Sequence, residues 1–314
     1  MNFGCSKNSA RSFFYFIVAV FPSFCGLGQH AASACERPKV VATTTVVADL
    51  VYQIAGNRVE IDCLMGPGID PHSFKATPRD ADRLARADIV FASGLHLEGK
   101  LSVLLDRLAR RTHVVQVADT LPKEKLIQVT KSLYDPHVWF DPILWSDCVN
   151  EVVISLKNID PSGSTYFADR GSAYCSLLKT LDDQIRKELS TIASTHRVMV
   201  TSHDAFRYFG RAYGIQVVGI QGTSTESETG LHDINRLVDL VVTRRIPAVF
   251  VETSVADRNM TALREGAQAR GHVVGLGGRL YSDALGPTGT GAETLEGALR
   301  ANVRVIVSGL KGEN

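Results

Sequence analysis

Short runs of apolar and β-branched residues alternate along the chain with segments in which apolar residues recur every three or four positions. The runs predict strands over residues 40–45, 59–65, 88–92 and 113–117, and the periodic segments predict helices over 46–56, 78–87 and 100–111. Helices between successive strands are typical of βαβ units with mostly parallel sheets. The first part of the chain is therefore predicted to form an α/β lobe.

The alternation stops at a long segment that contains no proline. Its apolar positions step by three or four, as one face of a helix over residues 164–192 requires: Tyr174, Leu177, Leu178, Leu181, Ile185, Leu189 and Ile192. At about 1.5 Å per residue, such a helix is roughly 40 Å long. A helix of this length in an α/β chain either crosses a core or connects two lobes.

Beyond this segment the alternation resumes. Strands are predicted over 197–201, 215–220, 248–252 and 272–276, with helices over 205–213, 232–244, 260–269 and 293–310. The predicted fold class is α/β: two βα lobes with mostly parallel sheets, joined by one long helix. We divide the chain into an N-terminal lobe (39–162), a connecting helix (163–193) and a C-terminal lobe (194–311).

The first 34 residues have the pattern of a secretory signal peptide. Lys7 and Arg11 precede nine apolar residues at 13–21, and the small residues 32–34 follow after a short polar stretch. The apolar run is too short to span a bilayer; the alternative is a buried N-terminal helix. We predict export of the mature chain to the periplasm or another extracytoplasmic compartment.

Cleavage after residue 34 would make Cys35 the first residue, where lipoproteins carry a lipid. Lipoprotein signals usually have a leucine-like residue three positions earlier, and here Ala32 stands there, so we favour an N-terminus without a lipid anchor. The other cysteines of the mature chain are Cys63, Cys148 and Cys175. Export permits a disulfide between the last two, but their spacing does not decide it. No CxxC pattern occurs, which argues against a thiolate metal site.

Charge narrows the choice of partners. The chain has 34 basic and 33 acidic residues and no long basic run, which argues against a nucleic-acid surface. Nothing after the leader is long and apolar enough to cross a bilayer. We expect a monomer that does not bind nucleic acid.

The tripeptide Asp-Pro-His occurs twice, at residues 70–72 and 135–137, each time after a predicted strand. Proline restricts its own φ and biases the preceding residue towards an extended shape, so each histidine projects from a stiff bend. Neutral imidazole is the commonest metal ligand in proteins. Since ligands bind beyond the carboxyl ends of strands in open α/β sheets, we add His203, after the strand at 197–201, and Asp283, in a glycine-rich stretch.

Three imidazoles and one carboxylate, from His72, His137, His203 and Asp283, suit a divalent ion such as Zn²⁺ or Mn²⁺. Four protein ligands nearly saturate a tetrahedral ion and leave little room for an activated water, which favours holding a metal over catalysis. Three nearby aspartates are able to orient the imidazoles, although we expect each to cap its turn instead: Asp70, Asp135 and Asp141.

The segments around these residues resemble the TroA-like zinc/manganese solute-binding proteins of ABC transporters, also called the cluster A-I or cluster 9 binding proteins. The matching segments are 64–72, 94–98, 135–141, 202–209 and 281–284, and the resemblance extends over roughly residues 39–310. It implies two α/β lobes joined by a rigid helix, with a metal between the lobes on His72, His137, His203 and Asp283. It also implies a binding protein, not an enzyme, whose partner is a membrane permease.

The resemblance leaves the metal open. Histidine at position 203 is typical of zinc-type members, and glutamate there of many manganese-specific ones. The segment 120–134 is rich in lysine and has no histidine, unlike the His-rich loop of many dedicated zinc importers. We therefore keep zinc, manganese and iron as candidates.

The sequence leaves two other functions open. A secreted metallohydrolase would use His72, His137 and His203, but no HExxH or comparable motif is present. A surface protein for cell adhesion on the same scaffold is the other, and the sequence argues neither for it nor against it.

Overall fold

A computed structural model describes residues 36–227 and 229–312. The signal peptide predicted at 1–34 and the lipid site considered at Cys35 lie outside the described residues. Arg37–Asn314 form one compact unit. Within the described part of this unit, no helix is long and apolar enough to cross a membrane.

The N-terminal lobe is built on a parallel sheet of four strands in the order β2-β1-β3-β4. The strands are β1 (Lys39–Ala42), β2 (Glu60–Cys63), β3 (Ile89–Ala92) and β4 (His113–Gln116). The connecting helices are α1 (Thr45–Ala55), α2 (Pro78–Ala85) and α3 (Ser102–Leu108). The predicted strands and helices of this lobe are confirmed, with ends that differ by a few residues.

Two helices of this lobe, α1 and α2, begin at residues whose side chains cap them. Thr44 accepts a hydrogen bond from the amide of Val47 at the start of α1. At α2, Thr77 and Asp80 form a reciprocal capping box, and Pro78 occupies the first turn, where a missing N–H costs nothing. The cap of α2 fixes where the loop that carries His72 ends.

Two short helices lie outside the predicted elements, α4 (Pro142–Asp147) and α5 (Val149–Ile159). The side chain of Asp141 accepts a hydrogen bond from Leu144, and Pro142 occupies the first turn of α4. This is a favourable helix start. Asp141 therefore caps a helix, as expected for it.

The long helix is present as α6 (Ser164–Leu189), which has 26 residues. It begins at the predicted residue and ends three residues before the predicted end. It packs against α1, α4 and α5 and against the last helix of the C-terminal lobe, so it contacts both lobes. Gly171 faces α5 so closely that a Cβ there would lie 2.7 Å from Val153 Cγ2.

The C-terminal lobe contains two pairs of parallel strands, β5 (Val198–His203) with β6 (Gln216–Gln221) and β7 (Ala248–Glu252) with β8 (Gly275–Leu280). Strands β5 and β7 lie next to each other. The helices of this lobe are α7 (Arg207–Tyr213), α8 (Leu231–Thr243), α9 (Arg258–Ala269) and α10 (Leu295–Lys311). The α/β fold class with a long connecting helix is thus confirmed, and the domain boundaries at 162 and 193 stay predictions.

One strand is displaced from its prediction. The strand expected at 272–276 is observed as β8, which runs from Gly275 to Leu280, because the amide of His272 closes the end of α9 on Ala267. The rest of the strand was not predicted because it contains glycines, and glycine has low strand propensity. They are needed for packing: a Cβ at Gly277 would lie 2.5 Å from Phe250 Cε1.

Candidate metal centre

Four buried side chains meet between the lobes. Each of His72, His137, His203 and Asp283 offers a ligand atom, and these atoms all lie within 4.8 Å of one another. His137 Nε2 is 3.3 Å from His72 Nε2 and 3.4 Å from His203 Nε2. Asp283 places Oδ1 at 3.3 Å from His137 Nε2 and Oδ2 at 3.3 Å from His203 Nε2. The four residues that the sequence singles out are therefore brought to one point.

These separations fit a single ion. Four nitrogen and oxygen ligands at about 2.1 Å from a tetrahedral metal stand about 3.4 Å from one another. Both carboxylate oxygens of Asp283 are buried without a well-formed hydrogen bond, and each lies 3.3 Å from an imidazole Nε2. A buried carboxylate needs a compensating charge, and a divalent cation at the centre would supply it in place of protons on the two rings.

The ligand atoms come from strand ends and from turns. His203 is the last residue of β5, not a residue beyond the strand as predicted. Asp283 follows β8, and His72 lies between β2 and α2. The second Asp-Pro-His does not follow a strand of the sheet: it comes after an isolated bridge between Gln128 and Tyr134.

The two Asp-Pro-His turns share a backbone contact and differ at the ring. Asp70 Oδ1 accepts from the amide of His72 at 2.9 Å, and Asp135 Oδ1 accepts from the amide of His137 at 3.0 Å, as in turns closed by an aspartate. Asp135 Oδ1 also lies 2.8 Å from His137 Nδ1. The expectation that Asp135 only caps its turn is wrong, because its carboxylate also orients the imidazole.

Sequence reasoning missed Glu252, the last residue of β7. It is fully buried; Oε1 accepts from the amide of His203 at 2.9 Å, and Oε2 lies 2.5 Å from His203 Nδ1. It holds the far side of the ring, as Asp135 does for His137. A charged residue that ends an otherwise apolar buried strand was the available signal.

Buried carboxylates shift the pKa values of two imidazoles upwards. Burial opposes the charged form of His137, but Asp135 and Asp283 outweigh it and raise its pKa to about 9. Burial likewise opposes the charge of His203, and Glu252 and Asp283 raise its pKa well above the usual value. The pKa of Asp283 is far below normal, since the two imidazoles outweigh its burial.

His72 behaves in the opposite way. Burial lowers its pKa to about 4, and the neighbouring rings of His137 and His203 add to this against the pull of Asp283. The neutral form of His72 is therefore favoured at physiological pH, whereas the charged form of the other two rings is favoured, and a metal ion bound there would have to displace a proton from each.

An aromatic ring covers one side of the cluster. The Trp139 ring stands edge-on to His137 with centroids 5.3 Å apart. Its Nε1 donates to the carbonyl of Ser282 at 3.2 Å, next to Asp283. Trp139 thus joins a ligand turn of the N-terminal lobe to one of the C-terminal lobe.

The other histidines and the cysteines of the described residues do not belong to this cluster. Among residues 36–227 and 229–312, the cluster is the one group of at least three His, Cys, Asp and Glu side chains placed to hold a metal ion. It excludes five histidines: His96, His113, His196, His232 and His272. Cys63, Cys148 and Cys175 are free thiols, so Cys148 and Cys175 do not pair.

Comparisons with known proteins also find proteins that bind metal ions. A family model described as zinc-uptake complex component A, periplasmic (ZnuA), matches residues 40–309. The manganese-binding lipoprotein MntA of Bacillus subtilis is 43% identical over 288 residues, which cover 91% of this chain and 94% of that protein. The zinc-binding protein TroA of Treponema pallidum is 42% identical over 90% of this chain and 92% of that protein. The solved structure of this periplasmic TroA superposes with a TM-score of 0.85, covering 87% of this chain and 99% of that one.

Proposed function

The chain belongs to the ZnuA family of periplasmic zinc-uptake components, and on that premise we propose that it captures one divalent transition metal ion and delivers it to the permease of an ABC transporter. It is a metal-binding solute-binding protein and not an enzyme. The metal is its cargo.

One observation carries this proposal: three Nε2 atoms and one carboxylate from two lobes converge on one point. We propose His72, His137, His203 and Asp283 as the ligands. Each lobe supplies two of them, so separating the lobes would open the site and free the ion.

We propose zinc or manganese as the cargo. Relatives with almost the same identity to this chain are described as binding one or the other, so overall similarity does not choose between them. Imidazole nitrogen and carboxylate oxygen accept both metals. We propose iron as a third candidate, since Fe²⁺ takes the same ligands.

The rival function, a metallohydrolase, is not favoured. Catalytic zinc sites keep an open coordination position for water. Here four side chains would fill all four positions of a tetrahedral ion. Asp283, His137 and His203 are almost fully buried, which leaves little access for a bulky substrate.

The protein acts outside the cytoplasm, as its periplasmic and lipoprotein relatives do. We propose that residues 1–34 direct export and that the mature protein is a monomer without a lipid on Cys35. The mass of the mature N-terminus decides whether Cys35 is modified, and sedimentation decides the oligomeric state.

The substitution His203→Ala tests the site. Loss of one of four ligands should weaken zinc binding by more than the roughly 100-fold at the upper end for partners outside the ligand set, measured by calorimetry with chelator competition. The circular dichroism spectrum should be unchanged, because the strand hydrogen bonds of β5 do not need the ring. His113→Ala, at an exposed histidine of β4, is the matched control and should bind zinc as the parent does. Equal affinity in both variants would refute the assigned site.

A further inference from the structure

Two loops of the N-terminal lobe reach across the cleft to adjacent residues of the C-terminal lobe. Thr225 Oγ1 donates to Asp70 Oδ2 at 2.7 Å. Lys100 forms an ion pair with Glu226. Thr225 and Glu226 lie in the connection between β6 and α8, so one short stretch of chain ties the two lobes together beside the metal centre.

The Thr225 hydroxyl is linked to a proposed metal ligand. The carboxylate that accepts from Thr225 also accepts from Ser73 Oγ at 2.7 Å and from the amide of His72 at 2.9 Å. Asp70 is thus the centre of the turn that presents His72, and the C-terminal lobe holds one of its oxygens.

His72 is the ligand that depends most on this support. The rings of His137 and His203 each have a buried carboxylate against Nδ1, whereas Asp70 contacts the backbone of His72. His72 also lines an inter-lobe cavity of about 580 Å³. It is therefore the imidazole next to open space.

Hydrogen bonds within the loop that contains Thr225 hold its conformation. Gln221 Nε2 donates to the carbonyl of Thr225 at 3.2 Å and to that of Ser227 at 3.4 Å, and the amide of Ser227 donates to the carbonyl of Ser224 at 3.2 Å. These bonds hold the hydroxyl in position towards Asp70.

We propose that Thr225 is a positioning residue for the metal centre: through Asp70 it holds the His72 turn against the ion, and it thereby sets how fast the metal leaves. The inference rests on the proposed function. A hydrogen bond to a carboxylate is among the stronger ones in proteins, whereas an ion pair between half-exposed side chains is weak. Thr225 therefore contributes more than the pair of Lys100 and Glu226.

Thr225→Val tests the inference, since it removes the hydroxyl and keeps the shape of the side chain. Zinc-loaded protein is mixed with excess EDTA in a stopped-flow instrument, and a zinc indicator measures association separately. We expect release about tenfold faster, as for the loss of a hydrogen bond to a charged group, with association changed by less than about twofold. Thr225→Ser, which restores the hydroxyl, should return release to the parent rate.

Thr229→Val is the matched control. It makes the same change in the same connection, where the hydroxyl donates to the carbonyl of Ile220 within the C-terminal lobe, and its release rate should equal that of the parent. Faster release in Thr229→Val as well would overturn the inference, because general loosening of the loop would then explain both results.

Glu226→Gln separates the ion pair from the hydrogen bond. It should speed release by about twofold to threefold at low salt and not at high salt, because exposed charges are screened. The effect of Thr225→Val should persist in high salt.

The two hypotheses fail in different ways. If the parent binds none of zinc, manganese and Fe²⁺, or if His203→Ala binds zinc as the parent does, the proposed function fails. If the parent binds zinc and Thr225→Val releases it at the parent rate, the function stands and the role of Thr225 is overturned.

Discussion

At the scale of residues, buried carboxylates favour the charged form of two imidazoles of the cluster when no metal is bound. Asp135 and Glu252 stabilise the charge of His137 and His203 from behind, while Asp283 faces both from the front. Since a metal binds only the deprotonated Nε2, the same carboxylates that orient the rings also make protons competitors of the cargo.

Zinc affinity should therefore rise with pH. The pKa of His137 is raised to about 9 and that of His203 is raised as well, so a lower pH favours the proton at both rings. We expect the dissociation constant to fall by about tenfold to a hundredfold per pH unit between about pH 6 and 8, one factor of ten for each proton released. Calorimetry in two buffers of different ionisation enthalpy counts those protons.

Asp135→Asn sharpens the measurement, because it removes the stronger of the two charges that raise the pKa of His137. Fewer protons should then leave on binding at neutral pH. A dissociation constant that does not change with pH, together with no proton release, would contradict the arrangement of charges described for the site.

The four residues of the cluster were predictable from sequence because proline-stiffened turns and strand ends are local features. The carboxylates that contact the Nδ1 side of these rings, Asp135 and Glu252, were less predictable. Asp135 has the same local pattern as Asp70, and only the fold decides which of the two carboxylates also contacts its ring. The charge of Glu252 at the end of an apolar strand marks it as unusual, but its partner is not predictable locally, since the contact with His203 joins residues that are 49 positions apart in sequence.

At the scale of elements, α6 depends on one small residue. Gly171 lets α5 approach so closely that a Cβ would lie 2.7 Å from Val153 Cγ2 and 3.2 Å from Val149 Cγ1. Helix propensity would favour almost any other residue there, so packing explains the glycine.

Gly171→Leu should consequently destabilise the protein by about 1–3 kcal/mol, the range for overpacking a filled interface. Urea denaturation followed by circular dichroism measures the loss. Ser172→Leu, at the adjacent exposed position of α6, should change the free energy of unfolding by no more than about 0.5 kcal/mol. Equal stability of the two variants would show that the space beside Gly171 is not tightly filled.

The elements that the sequence predicts well are those with strong periodicity, α6 above all. The prediction for β8 was displaced because its glycines make close contacts with Phe250 and α10, which no local pattern in the sequence reveals. Helix α4 is too short, at six residues, to show a period. In both cases tertiary packing decides what local propensity does not.

At the scale of the whole molecule, the lobes are joined at several places besides α6. The amide of Leu295 at the start of α10 donates to Asp49 in α1 at 2.9 Å, and the amide of Leu285 donates to Thr45 at 2.8 Å. These bonds join the first helix to the chain just before the last one. Helix α6 also packs on both lobes. Wide opening of the cleft would therefore have to break these hydrogen bonds and the contacts of α6 together.

Metal binding should accordingly change the shape of the protein very little. We expect the radius of gyration from small-angle X-ray scattering to agree within error between EDTA-treated and zinc-loaded protein. Zinc in large excess over its dissociation constant should still raise the melting temperature, as a gain of about 4 kcal/mol at 1,000-fold excess implies. That shift proves that the loaded sample holds metal. A clear decrease in radius with loading would contradict the rigid connection.

The position of Trp139 gives this molecule a spectroscopic probe of its own. The chain has two tryptophans, and the rings of Trp139 and Trp145 are 6.5 Å apart, so its indole emission arises from one small region beside His137. Loss of charge on that imidazole and arrival of a cation both alter the local field at the indole. Native fluorescence, without any attached dye, can thus follow cargo loading, and a paramagnetic ion such as Mn²⁺ should quench it where Zn²⁺ does not.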